Sequence, residues 1–195
     1  MLDGWAAAES ERVGANLIRV GRVTEVDAAE RRARVRVGGL DSDWLPWAVA
    51  RAGTTRTASA PSVGEQRLIF SPYGDTSQAV IGPAIYQDEH DAPTESEAVS
   101  VVEFPDGSRV QYDSAAHVLT VDAGAAAVVV NCQTATVTAD SVTIDAPTTN
   151  CTGDLTVGGN ATFNGGSVTH GGKNIGKDHT HSGVTTGGGT TGAPT

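Results

Sequence analysis

From Val128 onward the chain falls into short sets of apolar or small residues placed at alternate positions: Val128, Val130 and Cys132; Ala135, Val137 and Ala139; Val142, Ile144 and Ala146; Leu155 and Val157; Ala161 and Phe163. Successive sets begin about seven residues apart and later about six, with Thr, Ser, Asn and Asp between them. A period of two nested in a period of six to seven is the pattern of a β-solenoid or β-prism, in which each repeat contributes one short strand to a layer. The repeat is too short to supply three strands and three corners from one chain. A single copy would leave its apolar face and its strand edges open, so closure requires several chains wound about one axis. Three chains make a triangular prism with Val, Ile and Ala pointing inward; the strand arithmetic alone also admits two or four.

Composition agrees with many short β elements. Of 195 residues only 5% are aromatic while Gly occurs 24 times, which disfavours a large aromatic-filled core. The net charge is −10; residues 1–90 carry 10 basic and 12 acidic side chains and residues 91–195 carry 3 and 11, so the second half is the acidic one. An excess of acid of this size disfavours a phosphate-backbone partner, and no nucleic acid is expected. The sequence has no run of about 18 apolar residues and lacks the basic-then-apolar order of a signal peptide at MLDGWAAAESERVG, so the protein is expected to be made in the cytosol and to stay soluble. Cys132 and Cys151 fall at inward-reading positions of the repeats and are expected to be buried free thiols, not a disulfide.

The chain divides into an N-terminal segment (1–15), a run of strands (16–90), a linker (91–98), a shaft (99–168) and an apex (169–195). In the second of these, Arg32, Arg34 and Arg36 alternate with Ala33, Val35 and Val37, the period of a half-buried strand with its arginines outward. Five or so short strands separated by Gly and Pro fit a small closed barrel. Trp44, Pro46 and Trp47 form the one aromatic concentration; they either plug the barrel or anchor a neighbour. The linker lies in the acidic, Pro-containing QDEHDAPTESEA segment. At the start of the shaft, two strands are expected around the turn Asp106-Gly107, followed by a second turn at Asp113–Ala116. His117 borders that turn and reads as a surface residue, and His170 as a solvated loop residue.

Near the end of the chain stands Asp178-His179-Thr180-His181. On an extended strand residues i and i+2 share a face, so His179 and His181 point one way and Asp178 the other. Two imidazoles are too few for a closed metal site, but three copies around an axis supply six. Six nitrogens suit an octahedral metal: iron first, nickel or cobalt as substitutes, and zinc poorly, since it prefers four ligands. The alternative is a flexible tail with a fortuitous His-x-His pair.

The stretches DWLPWAVARAG, SVGEQRLIFSPYGD, EFPDGSRVQYD, CTGDLTVGGNATFNGG and the terminal DHTHSGV with GGGTTG together resemble the baseplate assembly protein V family, the central spike of contractile-tailed phages and related tailocins. The resemblance covers nearly the whole chain in the same order of segments. It implies an all-β protein: an N-terminal OB-fold barrel, an intertwined trimeric β-helix, and an apex where a histidine pair from each chain, here His179 and His181, binds one iron ion per trimer. It further implies a place in the virion, with tail hub, tube and baseplate proteins at the barrel end and the host outer membrane at the tip. Larger relatives carry a lysozyme domain between barrel and shaft; here only DEHDAPTESE stands there, so no enzymatic activity is expected. Two other readings remain at this stage. A trimeric receptor-binding fibre or adhesin would end in a larger aromatic head, whereas this chain ends in Gly and Thr. A His-x-His metalloenzyme would need further ligands placed by separate strands of a closed fold.

Overall fold

The computed structural model describes residues 2–176 together with 179, 183 and 187. By contact the chain separates into two compact units, Met1–Asn131 and Cys132–Thr195.

The first element is a helix, in a chain otherwise built mostly of strands. Residues Leu2–Leu17 form a helix, α1. Its run Ala6–Ala8 followed by Glu9, Glu11 and Arg12 consists of good helix formers, and Glu9 and Arg12 pair across one turn at 2.8 Å. The segment 1–15 thus has an element that the β-rich character of the rest concealed. The helix passes into the first strand with no connecting residue.

Six strands build the barrel. β1 (Ile18–Asp27) pairs with β2 (Arg32–Val37) on one side and β5 (Gln66–Phe70) on the other, and β5 pairs with β6 (Val80–Ile85). The short β3 (Leu40–Asp41) and β4 (Leu45–Pro46) both pair with β2. All of these pairings are antiparallel. The sheet closes where Trp47, just past β4, bridges Ile81 of β6, and the Ala48 N–H donates to the Ile81 carbonyl at 2.8 Å. Closure leaves the barrel with no open edge at this seam. Inside lie Val23, Ala33, Val35, Leu45, Ile69, Ala79 and Ile81, all buried. Gly21 is required where β1 crosses this core, because a Cβ there would stand 2.9 Å from Val37 Cγ2 and 3.1 Å from Ile69 Cγ1.

The alternation in β2 is as the sequence indicates, with Ala33 and Val35 buried and Arg32 and Arg36 exposed. Each outward arginine has a partner. Arg34 pairs with Glu25 at 3.1 Å, Arg36 with Asp41 at 2.8 Å, and Arg32 donates to the Trp44 carbonyl at 2.8 Å. The two tryptophans divide the roles proposed for them: Trp47 packs against the core, while Trp44 lies outside under the Arg34 guanidinium, 5.7 Å from ring centroid to Cζ. Past the barrel, Glu89 pairs with Arg22 and the Gln87 side chain donates to the Gly64 carbonyl, which ties the first residues of the acidic segment to the barrel wall.

A three-stranded meander follows: β7 (Val99–Glu103), β8 (Arg109–Asp113) and β9 (Val118–Asp122). The first turn is at Asp106-Gly107, with Gly107 at φ 84 and the Asp106 carboxylate accepting from the Ser108 N–H at 2.9 Å. In the second, Asp113 accepts from the N–H groups of Ala115 and Ala116, each at 2.9 Å, and His117 takes a left-handed φ of 57. His117 is exposed. Beyond it, residues 124–167 form no strand within one chain and every one of them is exposed. In the second unit a hairpin joins β10 (Thr169–His170) to β11 (Lys173–Asn174). Its turn residues Gly171 and Gly172 both have positive φ, 56 and 76, as a tight two-residue hairpin demands.

Candidate functional site

Two features carry functional information: the neighbourhood of His179 and the faces that one chain leaves uncovered. Just past the β10–β11 hairpin, Ile175 and Gly176 are braced by hydrogen bonds. The Ile175 N–H donates to the Val168 carbonyl at 2.7 Å, and Asn174 Oδ1 accepts from the Gly176 N–H at 2.8 Å. This side-chain turn aims the Gly176 carbonyl at His179, which approaches it through its backbone N–H (3.2 Å) and its ring Nδ1 (2.6 Å). A carbonyl only accepts, so Nδ1 carries the hydrogen and the lone pair of the neutral ring sits on Nε2. Orientation of a ring by an Nδ1–H bond to a backbone carbonyl is the arrangement that prepares an imidazole for metal ligation through Nε2. The donor chemistry of His179 therefore fits the metal role assigned to it.

His181, the other half of the pair, and Asp178 lie outside the described residues. His170 is not a loop residue as anticipated; it ends β10, opposite Lys173, and is exposed. Among the described residues no three His, Cys, Asp or Glu side chains gather into one cluster. Sequence reasoning overlooked the part played by Gly176 and Asn174. The signal was present in Asn174-Ile175-Gly176, an Asn two residues ahead of a Gly, which favours a side-chain-closed turn.

The meander presents a second kind of site. Its register sets Val102, Val110 and Val121 in one cross-strand row and Ser100, Tyr112 and Leu119 in the next, on the same face. Val110 is 41% exposed at the centre of this face, and Leu119 and Val121 are more so. The opposite face mixes Val99, Val101 and Val118 with Glu103, Arg109, Gln111, Asp113 and Thr120, and there Arg109 and Glu103 pair at 3.2 Å. A three-stranded sheet with an uncovered apolar face lacks the burial that independent stability needs. Cys132 and Cys151 are both free and both exposed, so one chain does not by itself bury them as the inward-reading pattern anticipates. Among the described residues no helix is long and apolar enough to cross a membrane.

Comparison with known proteins matches two parts of the chain to family models. Residues 19–86 match the type VI secretion system/phage-baseplate injector OB domain, and residues 131–191 match the phage spike trimer. Over 205 aligned positions the chain is 36% identical to the spike protein of Escherichia phage P2, covering 95% of this chain and 96% of that protein.

Proposed function

Because the chain belongs to the baseplate assembly protein V family of phage spikes, we propose that it is the homotrimeric, non-enzymatic central spike of a contractile tail, which pierces the host outer membrane with an iron-stabilised tip. The observation that carries this reading is the uncovered apolar face of the meander, together with residues 124–167, all of them exposed. Such a surface is large for a single soluble chain. Three copies cover it: the row of Val102, Val110 and Val121 turns toward a common axis, and the alternating sets from Val128 to Phe163 are covered in their turn by neighbouring copies.

In this reading the barrel end meets the hub, tube and baseplate proteins, and the opposite end meets the membrane. His179 and His181 of all three chains together would hold a single iron ion. The ion supplies a cross-link that exists only when three chains are assembled, so its binding free energy adds to the stability of the assembled tip and not to that of the single chain. The chain's own residues do the positioning, with Asn174 bracing Gly176 and Gly176 fixing the ring of His179. A stiff shaft with pinned ends suits puncture because it transmits force without fraying.

The test is sedimentation mass combined with elemental analysis of the purified full chain. A trimer carrying one iron per three chains is the expected result. A stable monomer overturns the assembly, and one metal per chain overturns the shared site and favours the metalloenzyme reading.

A further inference from the structure

Helix α1 is longer than the surface beneath it. Its half-buried residues are Glu9, Val13 and Asn16, a single stripe at helical spacing. This stripe rests on the Pro72–Gly74 turn, where the approach is so close that a Cβ on Gly74 would stand 2.7 Å from the Val13 Cα. The stripe continues toward the N-terminus through Trp5 and Ala6, yet both are exposed, Trp5 to 70%. At a rise of ~1.5 Å per residue, the turns before Glu9 overhang their support by roughly 10 Å. A tryptophan on a packing stripe that has run out of its own barrel is placed to pack on something else.

A matching surface lies on the outside of the same barrel. Ile18 stands opposite Phe70 and Val20 opposite Leu68, with Val80 next to Phe70 on β6, so all five share the outer face. Ile18 is 60% and Val20 46% exposed, whereas the outward residues of β2 are arginines. On its β2 side this apolar patch ends at Arg22, which faces Arg36 directly across the strands.

We propose that α1 of one copy docks through Trp5 onto the Ile18, Val20, Leu68 and Phe70 face of a second copy of this chain. The inference rests on the trimeric reading above and adds to it a second interface, at the barrel end. A second copy is the occupant favoured by the match of residues 131–191 to the phage spike trimer, which supplies copies of this chain in one assembly. The helix is not able to cover its own patch: it runs directly into β1 at Leu17–Ile18, and its stripe is already seated on the Pro72–Gly74 turn. A helix-on-sheet contact joins two unlike surfaces, and around a threefold axis such contacts close into a ring in which each copy gives one helix and receives one. Chains joined along the shaft hold their barrels at high effective concentration, so a modest contact suffices.

The experiment uses the full chain with the photo-crosslinking residue p-benzoylphenylalanine in place of Trp5. Irradiation is expected to give dimer and trimer bands on a denaturing gel, with cross-links mapping to residues 18–22 or 66–70. Adding Val20→Asp should cut that yield about tenfold, because a carboxylate is then forced under the indole-sized contact. If the protein sediments as a trimer but the cross-links stay within one chain, map elsewhere or are absent, this inference falls and the trimeric reading stands. If it sediments as a monomer, the trimeric reading falls and takes this one with it.

Discussion

Replacing Val110 with Asp tests the trimeric interior at its centre. Val110 occupies the middle strand of the meander, flanked by Val102 and Val121 in the same row. At 41% exposure it has about 60 Å² left to bury, worth ~1.5 kcal/mol per chain at ~25 cal/mol per Å². Threefold symmetry multiplies this, so loss of the valine alone removes about 4–5 kcal/mol per trimer. The aspartate adds more, since each carboxylate either ionises beside two others or binds a proton at a cost of several kcal/mol. The combined penalty per trimer, ~15 kcal/mol or more, exceeds the whole stability of a typical small domain. The control is Thr120→Asp, one residue along β9 from Val121 and on the opposite face, where a new charge meets solvent. Hydrogen exchange followed by mass spectrometry reads the effect in peptides spanning 99–122. Val110→Asp should abolish protection there and leave the barrel peptides of residues 18–85 unchanged, while Thr120→Asp keeps protection throughout. Equal protection in the two variants would refute the inward assignment of the Val110 face.

At the apex, His179→Ala removes three ligands from a shared ion at once; bound iron should fall from one per trimer to none and the last 15 or so residues become protease-sensitive, while sedimentation still shows a trimer. Cys132 and Cys151, exposed in the single chain, should react slowly with a thiol reagent in the assembled protein and rapidly after denaturation; fast labelling of both in the native protein would mean that the register of the repeats is shifted by one residue. Gly74→Ala combines a left-handed φ of 70 with a clash against Val13 backbone, and should lower barrel stability by about 1–3 kcal/mol in urea unfolding, with α1 the first element to lose exchange protection. Asp106 is held below the ordinary aspartate value, first by the Ser108 N–H and then by its hydroxyl. Its folded-state value is thus the lower one, so the turn's stabilisation is present above the unfolded value of 3.8 and is lost as pH falls below it. The amide of Ser108 should exchange faster through that acid window in the wild type, and Asp106→Asn should remove the dependence.

What the sequence made legible depends on where each contact closes. The barrel closes within one chain, and its cues are local: alternation in Arg32–Val37, turn residues between strands, and Trp47 at the seam. The Asp106-Gly107 and Asp113–Ala116 turns were legible for the same reason, since an aspartate that caps its own turn needs no distant partner. Helix α1 was missed because its apolar stripe is nearly empty, with Glu9 and Asn16 at positions that touch the barrel; the hydrophobic periodicity that normally announces a helix is absent. His170 was misplaced because Gly171 and Gly172 read as loop, whereas paired positive-φ glycines make the tightest hairpin and hold His170 at a strand end.

For residues 124–167 the relation is reversed, and the period of six to seven says more than the single chain does. When each repeat supplies one strand per layer, every backbone hydrogen bond of a prism runs between chains. A lone copy then has no ladder to form, and its Val, Ile and Cys side chains stay exposed even though their alternation is regular. The proposed trimer accounts for both facts with one geometry. In the same reading, a metal clip would be of most use at the end of such a shaft and not in its middle. Inner layers are held by neighbours on both sides, whereas the last layer has a neighbour on one side only and frays first. A ligand set shared by all three chains would add its binding free energy at that layer, and Asn174 and Gly176 are placed to orient the ring of His179 toward it.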